Sequence, residues 1–405
     1  MIKEINKKRK LKVCMIVPGE FPAYGGLENF VYSLSESLVR KGFDVCIIAP
    51  RPGFSRGAPR GVKVYALPKK SNTTVSLSIL NSFAEFLEYF AWMIRVCILA
   101  CRERVDILHA HQCFPSGLYC LLAKLVLRKP LICTSHGEDI QMDLQARYGM
   151  RRSKTLSAIL KVLLKLVDAH VIVSKSMLKD ALSAGSRYDR IHVIYNGIDT
   201  NLGCSEHESE AKEVLKKLRI EPSDFVILFL GRVHPKKCPE LLILALPEIL
   251  KKVPNTKVIF AGPGDRRKLV MLAEKLKVLD NIIFTGFVSE RLKWLLIKRC
   301  DVFVLPSRTE AFGISLIEAM VCGKPVIATK KGPFPEIIRD GITGVLVPAD
   351  SPRALAEAIV SLAANSDKRK ELGERAAKDA IERFNIDIIA HMHLLLYTRL
   401  CGCDS

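Results

Sequence analysis

Short apolar runs rich in β-branched residues alternate along the chain with longer segments whose apolar residues recur at helical spacing. In the first half of the chain these runs cover 13–17, 45–49, 62–67, 106–109, 131–134, 170–173 and 191–194. Helical spacing is clearest between such runs, over 27–40 and 116–127. Strands that alternate with helices in this way predict βαβ units and a mostly parallel sheet.

A polar stretch over 203–213 interrupts this alternation, and the pattern then starts again. The later runs cover 225–230, 257–261, 282–285, 302–305, 326–329 and 344–347. The predicted fold class is therefore α/β, with two doubly wound Rossmann-like domains over 1–200 and 201–385. The total length of 405 residues suits two such domains. A last helical segment within 386–402 follows the second domain, and we expect it to pack back on the first.

The net charge and the cysteines indicate the kind of partner and the cellular compartment to be expected. The formal net charge of +20 favours an anionic partner, such as a phosphorylated substrate, nucleic acid or an acidic membrane. The 13 cysteines include no Cys-x-x-Cys pair, and Cys14, Cys46, Cys133 and Cys300 lie in or beside apolar runs. Since the N-terminus also lacks the pattern of a signal peptide, the cysteines are interpreted as reduced core thiols of a cytoplasmic protein.

No membrane-spanning helix is predicted. The most apolar long segment, 83–101, is interrupted by Glu85, Glu88 and Arg95, whereas a spanning helix needs about 20 mostly apolar residues. Basic and apolar residues do occur together over 7–12, 94–104 and 156–165. Two interpretations of these segments remain open: contact with the anionic inner face of a membrane, or a solvated basic surface over core helices.

Two glutamates flank the start of a predicted helix in the second domain. Glu310 lies in the loop after a predicted strand, and Glu318 lies about one turn inside the helix that follows. Between them, Phe312, Gly313 and Ile314 would present backbone N–H groups at a helix N-terminus, which is a site for anions. Carboxylates beside a phosphate suit hydrogen bonds from the hydroxyls of a sugar or ribose. Taken alone, each glutamate is better explained as an ordinary surface or helix residue.

Two further strand ends carry residues that a diphosphate would need. One predicted strand ends at Gly231 and Arg232, and Lys237 follows five residues after the arginine. Arg can bind phosphate through two hydrogen bonds, while Lys acts as a point charge. The next strand leads into a Gly-Pro-Gly turn that ends at Gly264. A basic surface turn and an ordinary glycine-containing turn are the alternatives for these two loops.

The segment from Glu310 to Glu318, the basic loop after Gly231 and the glycine turn at Gly264 occur in a characteristic order and spacing. Together they resemble the second domain of the nucleotide-sugar-dependent glycosyltransferases of the GT-B fold. More narrowly, they are similar to the retaining group called family 4, whose Glu-x7-Glu motif is matched from Glu310 to Glu318. The junction at 196–199 and Glu336 match as well, and the resemblance covers about 13–384. It implies two Rossmann-like domains facing across a cleft. It also implies transfer of a sugar, of the hexosyl type, from a nucleoside diphosphate to a glycan, lipid-linked or small-molecule acceptor.

The first domain contributes a glycine-rich loop and several histidines. Gly25 and Gly26 follow the first strand and precede a helix, and glycine there permits positive φ and close backbone approach. The resemblance makes this the loop that approaches the donor phosphates and the acceptor. It also makes His136 the residue that reaches the donor sugar. His109 and His111 alternate at a strand end, but no third ligand with zinc-like spacing lies nearby, so no metal site is predicted.

The resemblance implies a role for each residue. Arg232, Lys237 and the amides after Glu310 would stabilise charge on the leaving diphosphate. Glu310 would accept hydrogen bonds from the donor sugar and Glu318 from the ribose, while His136 would bind the sugar. No cofactor and no metal are expected, since the nucleotide sugar is a substrate and no Asp-x-Asp pair follows a predicted strand. Domain closure is expected to assemble the site, and the acceptor base is left open.

Other functions remain open on the sequence alone. A nucleotide-sugar epimerase or a phosphorylase could share the architecture, and turnover of the donor without an acceptor would identify the epimerase. A basic nucleic-acid-binding protein would also explain the charge. However, the basic residues are scattered and not interleaved with aromatic residues, and no nucleic-acid motif is present. No specific nucleic-acid partner is therefore expected.

Overall fold

A computed structural model describes residues 10–23, 25–53, 56–67, 83–200 and 208–402. Contacts within the chain divide it into two units, residues 1–197 with 386–405 and residues 198–385. Residues 203–207 of the polar stretch predicted over 203–213 lie outside the described residues, and the remainder belongs to a helix that begins at Glu208.

The first unit is built on parallel strands joined by helices. Its strands are β1 (Lys12–Ile16), β2 (Glu20–Phe21), β3 (Asp44–Ala49), β4 (Arg51–Pro52), β5 (Lys63–Ala66), β6 (Ile107–His111), β7 (Leu131–Ser135), β8 (Ala169–Ile172) and β9 (Ile191–Val193). Its helices include α1 (Gly26–Arg40), α2 (Phe83–Arg102), α3 (Leu118–Leu127), α4 (Lys154–Leu166) and α5 (Leu178–Ala184). Seven strands form one parallel sheet in the order β5-β3-β1-β6-β7-β8-β9, and β2 pairs separately with β4.

The second unit repeats this architecture. Its helices are α6 (Glu208–Lys217), α7 (Pro239–Lys252), α8 (Arg267–Lys275), α9 (Glu290–Arg299), α10 (Ile314–Val321), α11 (Phe334–Ile337), α12 (Pro352–Ala363) and α13 (Ser366–Phe384). Its strands are β10 (Phe225–Leu230), β11 (Thr256–Ala261), β12 (Ile282–Gly286), β13 (Val302–Leu305), β14 (Val326–Thr329) and β15 (Val345–Val347). They form a parallel sheet in the order β12-β11-β10-β13-β14-β15.

Both sheets are parallel because each is covered by helices, which supply the long crossovers that parallel strands require. Strand β10 illustrates the consequence, since all six of its residues are buried. A strand covered on both faces needs a continuous apolar run instead of an alternating one, and this run made β10 predictable to the residue.

The last helix, α14 (Ile386–Leu400), packs on the first unit. Asp387 lies 2.7 Å from the guanidinium of Arg40 on α1. The hydroxyl of Tyr397 lies 2.7 Å from Nδ1 of His109 on β6. Gly197 permits the close approach of this helix, because a Cβ there would lie 3.0 Å from Cα of Ile386.

The cysteines and the helix lengths agree with two sequence interpretations. Cys14, Cys46, Cys133 and Cys300 are buried free thiols, as expected for core residues. Among the described helices, none combines the length and the apolar character that crossing a membrane requires.

The packing of α13 gives a test of the fold. A Cβ on Gly373 would lie 2.0 Å from the carbonyl oxygen of Gly323. Replacing glycine by alanine inside a helix usually stabilises it by about 1 kcal/mol. Here the contact with fixed backbone reverses that sign, and Gly373→Ala is expected to lower the free energy of unfolding by about 1–3 kcal/mol in urea denaturation. Lys378→Ala, an exposed change on the same helix, is the control, and a Gly373→Ala protein at least as stable as the wild type would contradict this packing.

Candidate functional site

An ion pair joins the loops that follow β10 and β13. Nζ of Lys237 lies 3.0 Å from Oε2 of Glu310, and the two side chains are 12% and 13% exposed. Burial by itself would raise the pKa of Glu310. The charges of Lys237 and Lys236, together with the hydrogen bond from Lys237, outweigh burial and hold this pKa below its ordinary value. Glu310 is therefore a carboxylate that accepts hydrogen bonds at neutral pH.

Backbone contacts hold the same two loops together. The amides of Arg308 and Thr309 both donate to the carbonyl oxygen of Lys236, at 2.8 and 3.2 Å. Gly231 leaves the space that Lys237 occupies, because a Cβ on Gly231 would lie 3.1 Å from Nζ. The position of Lys237 beside Glu310 is thus determined by backbone geometry as well as by charge.

Gly264 brings the loop after β11 against the loop after β10. Its φ is +143°, in the region that favours glycine, and a Cβ would lie 2.3 Å from the carbonyl oxygen of Val233. The amide of Val233 donates to the carbonyl of Pro263 at 2.8 Å. The observed role of Gly264 is this close backbone approach, and its predicted contact with a ligand stays a prediction.

The start of α10 presents amides beside the Glu310 loop. Gly313 precedes the helix in the left-handed region, with φ of +100°, and a Cβ there would lie 3.2 Å from the ring of Phe334. Within the described part of the chain, the N–H groups of Gly313, Ile314 and Ser315 donate no hydrogen bond. Unpaired amides at a helix N-terminus can receive an anion. The sequence predicted such a site at the amides of Phe312, Gly313 and Ile314, and the binding of an anion there stays a prediction.

The side chain of Arg232 is exposed, whereas that of Phe312 is buried. Arg232 has an exposed side chain, and it has neither an ion pair nor a hydrogen bond with any described residue. Phe312 is 1% exposed, and its ring centroid lies 5.5 Å from that of Phe384. The arginine is therefore available to an anion, whereas the phenylalanine side chain belongs to the core.

Glu318 is paired with a lysine that sequence analysis did not identify. Nζ of Lys293, on α9, lies 2.5 Å from Oε1 of Glu318 and 2.7 Å from Oε2 of Glu290. Lys293 is 7% exposed and Glu318 is 6% exposed. Burial alone would lower the pKa of Lys293, but the two carboxylates raise it above its ordinary value. The sequence contained only a Glu-Lys pair at i,i+3, which is common on surface helices and does not indicate a buried lysine.

The glycine-rich loop before α1 does not use the positive φ that its glycines would permit. Gly26 begins the helix, and Gly25 is extended, with φ of 175°. The chain enters α1 directly from extended backbone, which requires no left-handed residue. A Cβ at position 25 would lie 2.2 Å from Oε2 of Glu28, which is the far end of a flexible side chain and can move aside.

His136 lies at the edge of a cluster of histidines in the first unit. Its Nε2 lies 3.3 Å from Nδ1 of His111, and the rings of His109 and His393 are 5.4 Å apart. Burial lowers the pKa of all four, to about 3 for His136 and His393. All four rings are therefore neutral at pH 7. In the part of the chain that the structure describes, no three His, Cys, Asp or Glu side chains are grouped to hold a metal ion.

Buried hydrogen bonds hold the loop that carries His136. Ser135 donates to Oδ2 of Asp139 at 2.9 Å, and the amide of Cys113 donates to the same oxygen at 2.8 Å. Nε2 of His170 lies 2.8 Å from the hydroxyl of Ser135. This network fixes the backbone on both sides of His136.

The apolar-basic segments differ in exposure. Four leucines of α4 are buried in the core, whereas Val162 and Leu166 are exposed, so one face of the segment 156–165 belongs to an ordinary core helix. In α2, by contrast, one face of the helix exposes apolar residues at a spacing of four: Phe86, Phe90, Ile94 and Ile98. Residues 7–9 of the basic N-terminal segment lie outside the described residues.

Comparisons with known proteins identify glycosyltransferases over nearly the whole chain. Residues 210–379 match the family Glycosyl transferases group 1, and residues 24–202 match Glycosyltransferase Family 4. An uncharacterized glycosyltransferase of Methanocaldococcus jannaschii is 30% identical over 96% of this chain and 98% of its own. A phosphatidyl-myo-inositol mannosyltransferase of Mycobacterium leprae is 28% identical over 98% of each chain. The crystal structure of HepE from Anabaena, in complex with UDP and glucose, matches with a TM-score of 0.76 and 21% identity, over 96% of this chain and 100% of that one.

The histidine cluster predicts how stability depends on pH. Unfolding returns each pKa to about 6.5, so the unfolded chain binds more protons below that pH. The contribution of the neutral rings to the free energy of unfolding is therefore fully present above pH 6.5, and it is lost as the pH falls toward about 3. His393→Leu is expected to reduce the slope of unfolding free energy between pH 6 and 4 by about 1.4 kcal/mol per pH unit, as measured by urea denaturation. Met392→Leu on the same helix is the control, and an unchanged slope in His393→Leu would contradict the assignment.

Proposed function

Because the chain belongs to the group 1 glycosyltransferases and has the GT-B fold, we propose that it transfers a sugar from a nucleoside diphosphate with retention of configuration. The observation that supports this most strongly is the contact of Lys237 with Glu310 beside unpaired helix amides. It brings a cation, a carboxylate and an anion site together at the carboxyl ends of parallel strands, where open α/β sheets bind their ligands.

The diphosphate would be held by three kinds of group in the second unit. Lys237 supplies a largely buried positive charge, and Arg232 supplies an exposed guanidinium on the same loop. The amides of Gly313 and Ile314 supply neutral donors at the positive end of a helix. Charge that develops on the leaving diphosphate in the transition state would be stabilised by donors that are already in place.

The two glutamates would bind hydroxyls and would not act as an acid and a base. Glu310 is ionised, and a carboxylate offers about four lone-pair sites, so it can accept from a hydroxyl of the donor sugar as well as from Lys237. Glu318 lies one helical turn into α10, and we assign it to the ribose. A carboxylate accepts about twice as strongly as a neutral group, which suits it to recognising hydroxyls.

His136 would contact the donor sugar as a neutral imidazole. Burial keeps its pKa near 3, so the ring carries no charge over the working pH range. Its Nε2 lies against His111, which leaves the other ring nitrogen and the backbone for the sugar. A neutral ring can contribute a hydrogen bond without repelling positive charge that develops on the sugar.

The relatives support a donor and an acceptor class. The Anabaena protein HepE was crystallised with UDP and glucose, which makes a nucleoside diphosphate sugar a reasonable donor here as well. The Mycobacterium leprae relative is named for a phosphatidyl-inositol acceptor, and a lipid-linked acceptor would suit a chain of net charge +20. Epimerase and phosphorylase functions are not favoured, since the comparisons identify transferases.

Removing the cation should affect turnover far more than removing a surface lysine. With a donor that the enzyme accepts, Lys237→Ala is expected to lower kcat by at least about 100-fold, the usual effect of losing one group that stabilises transition-state charge. Lys275→Ala, an exposed lysine of the same unit with no partner among the described residues, is the matched control. Equal kcat values for the two variants would remove Lys237 from the diphosphate site.

Metal removal gives an independent test. We propose that Arg232, Lys237 and the helix amides take the place of a metal ion at the diphosphate. Turnover is therefore expected to stay within about twofold after treatment with EDTA, measured as release of nucleoside diphosphate. Abolition of turnover by EDTA, with recovery on adding Mg²⁺ or Mn²⁺, would show that this mechanism is wrong.

The exposed apolar face of α2 is proposed to contact an anionic membrane. Ile94→Glu/Ile98→Glu places two carboxylates on that face, and it is expected to reduce co-sedimentation with vesicles that contain phosphatidylglycerol. Met271→Glu, at a residue of the second unit that is 67% exposed, is the control. If the double variant binds these vesicles as well as the control does, α2 is not the contact surface.

A further inference from the structure

We propose that Lys293 is a positioning residue, which holds Glu318 by one carboxylate oxygen and leaves the other oxygen free for the hydroxyls of the donor's ribose. This inference rests on the proposed function, because it assumes that Glu318 binds the ribose. It assigns the specificity of the ribose site to a residue on a different helix from the Glu-x7-Glu motif.

The two oxygens of the Glu318 carboxylate have different surroundings. Oε1 of Glu318 lies 2.5 Å from Nζ of Lys293, while Oε2 has no hydrogen-bond partner among the described residues. Oε2 is not one of the fully buried polar atoms that lack a partner, so although the side chain is only 8% exposed, a ligand hydroxyl or a water molecule can reach this oxygen. The free oxygen is therefore an acceptor of fixed direction.

Lys293 is itself held in place. Its ammonium also contacts Oε2 of Glu290 at 2.7 Å, and it lies 4.5 Å from the ring centroid of Trp294. An ammonium group has three protons, and two of them are directed to the two carboxylates. Because Lys293 is 7% exposed, its long side chain has little room to adopt another orientation. The carboxylate it binds is thus fixed as well.

The charge of Lys293 preserves the accepting capacity of Glu318. Burial raises the pKa of Glu318, and the neighbouring charge of Lys293 opposes that rise. Without the ammonium, burial and the like charge of Glu290 would both favour the protonated form of Glu318. A protonated carboxyl accepts more weakly and would compete with the ribose hydroxyls as a donor.

A purely structural role explains less of what is observed. Lys293 does link α9 to α10, and that link could contribute to stability. However, buried ion pairs are often no more stabilising than apolar side chains of similar size, since desolvation offsets the attraction. A structural link also does not explain why one carboxylate oxygen of Glu318 is left without a hydrogen bond among the described residues.

The test compares a nucleotide with its deoxy counterpart. Dissociation constants are measured by calorimetry for UDP, GDP or ADP, whichever binds, and for the 2′-deoxy and 3′-deoxy forms of that nucleotide. In the wild type, at least one deoxy form is expected to bind about tenfold or more weakly, the usual effect of losing a hydrogen bond to a charged group. In Lys293→Met this ratio is expected to fall at least threefold, whereas Lys293→Arg, which keeps the charge, should retain more of it.

The ratio of the dissociation constants for deoxy and ribo nucleotides distinguishes a positioning role of Lys293 from a role in fold stability. A variant that only loosens the fold weakens ribo and deoxy nucleotides equally, so an unchanged ratio in Lys293→Met would overturn the proposal. Lys293→Gln removes the charge but keeps a polar side chain, and it replaces Lys293→Met under the same criterion if the methionine variant does not fold. Glu290→Gln, which leaves the Lys293–Glu318 pair intact, should keep the wild-type ratio.

Failure of this inference can be distinguished from failure of the proposed function. If the wild-type ratio is near one while Lys237→Ala still lowers kcat by at least about 100-fold, the ribose assignment of Glu318 is wrong, and the proposed role of Lys293 is wrong with it. If the wild-type ratio is large but does not change in the charge-removing variants, only the role of Lys293 is wrong. If none of the three nucleotides binds and no nucleotide sugar is turned over, both are wrong.

Discussion

The contact between Lys237 and Glu310 joins residues that are 73 positions apart in sequence. It depends on the parallel pairing of β10 with β13, which brings the loops at their carboxyl ends to one edge of the sheet. The carbonyl oxygen of Lys236 then accepts from the loop after β13, so that backbone and side chains hold the same arrangement. Without this register, the cation, the carboxylate and the amides of α10 would be unrelated surface groups.

The two largely buried glutamates of the motif have different charged neighbours. The lysine beside Glu310 lowers its pKa despite burial, which leaves an ionised acceptor at the strand end. Glu318 is shielded further inside α10, and its charge depends on a lysine from α9. Identical residue types eight positions apart therefore have different electrostatic surroundings.

The sequence allowed prediction of the strands but not of every contact. Continuous apolar runs such as β10 identify buried parallel strands, because both faces of the strand are covered and no alternation is needed. The helix start at Gly313 was predictable from a strand, a loop and a helical pattern in succession. Lys293 was not, because periodicity on one helix does not show which residue of another helix it faces. Gly25 would permit a positive φ, but the chain enters α1 from extended backbone and does not use it.

The central claim is that the loops after β10 and β13 bind the donor diphosphate. A crystal structure of the protein with a bound nucleoside diphosphate tests it most directly. We predict that phosphate oxygens lie within hydrogen-bond distance of Lys237 and of the Gly313 or Ile314 amide, with the ribose hydroxyls near Glu318. A nucleotide bound with its phosphates away from Lys237 and from the start of α10 would contradict the account.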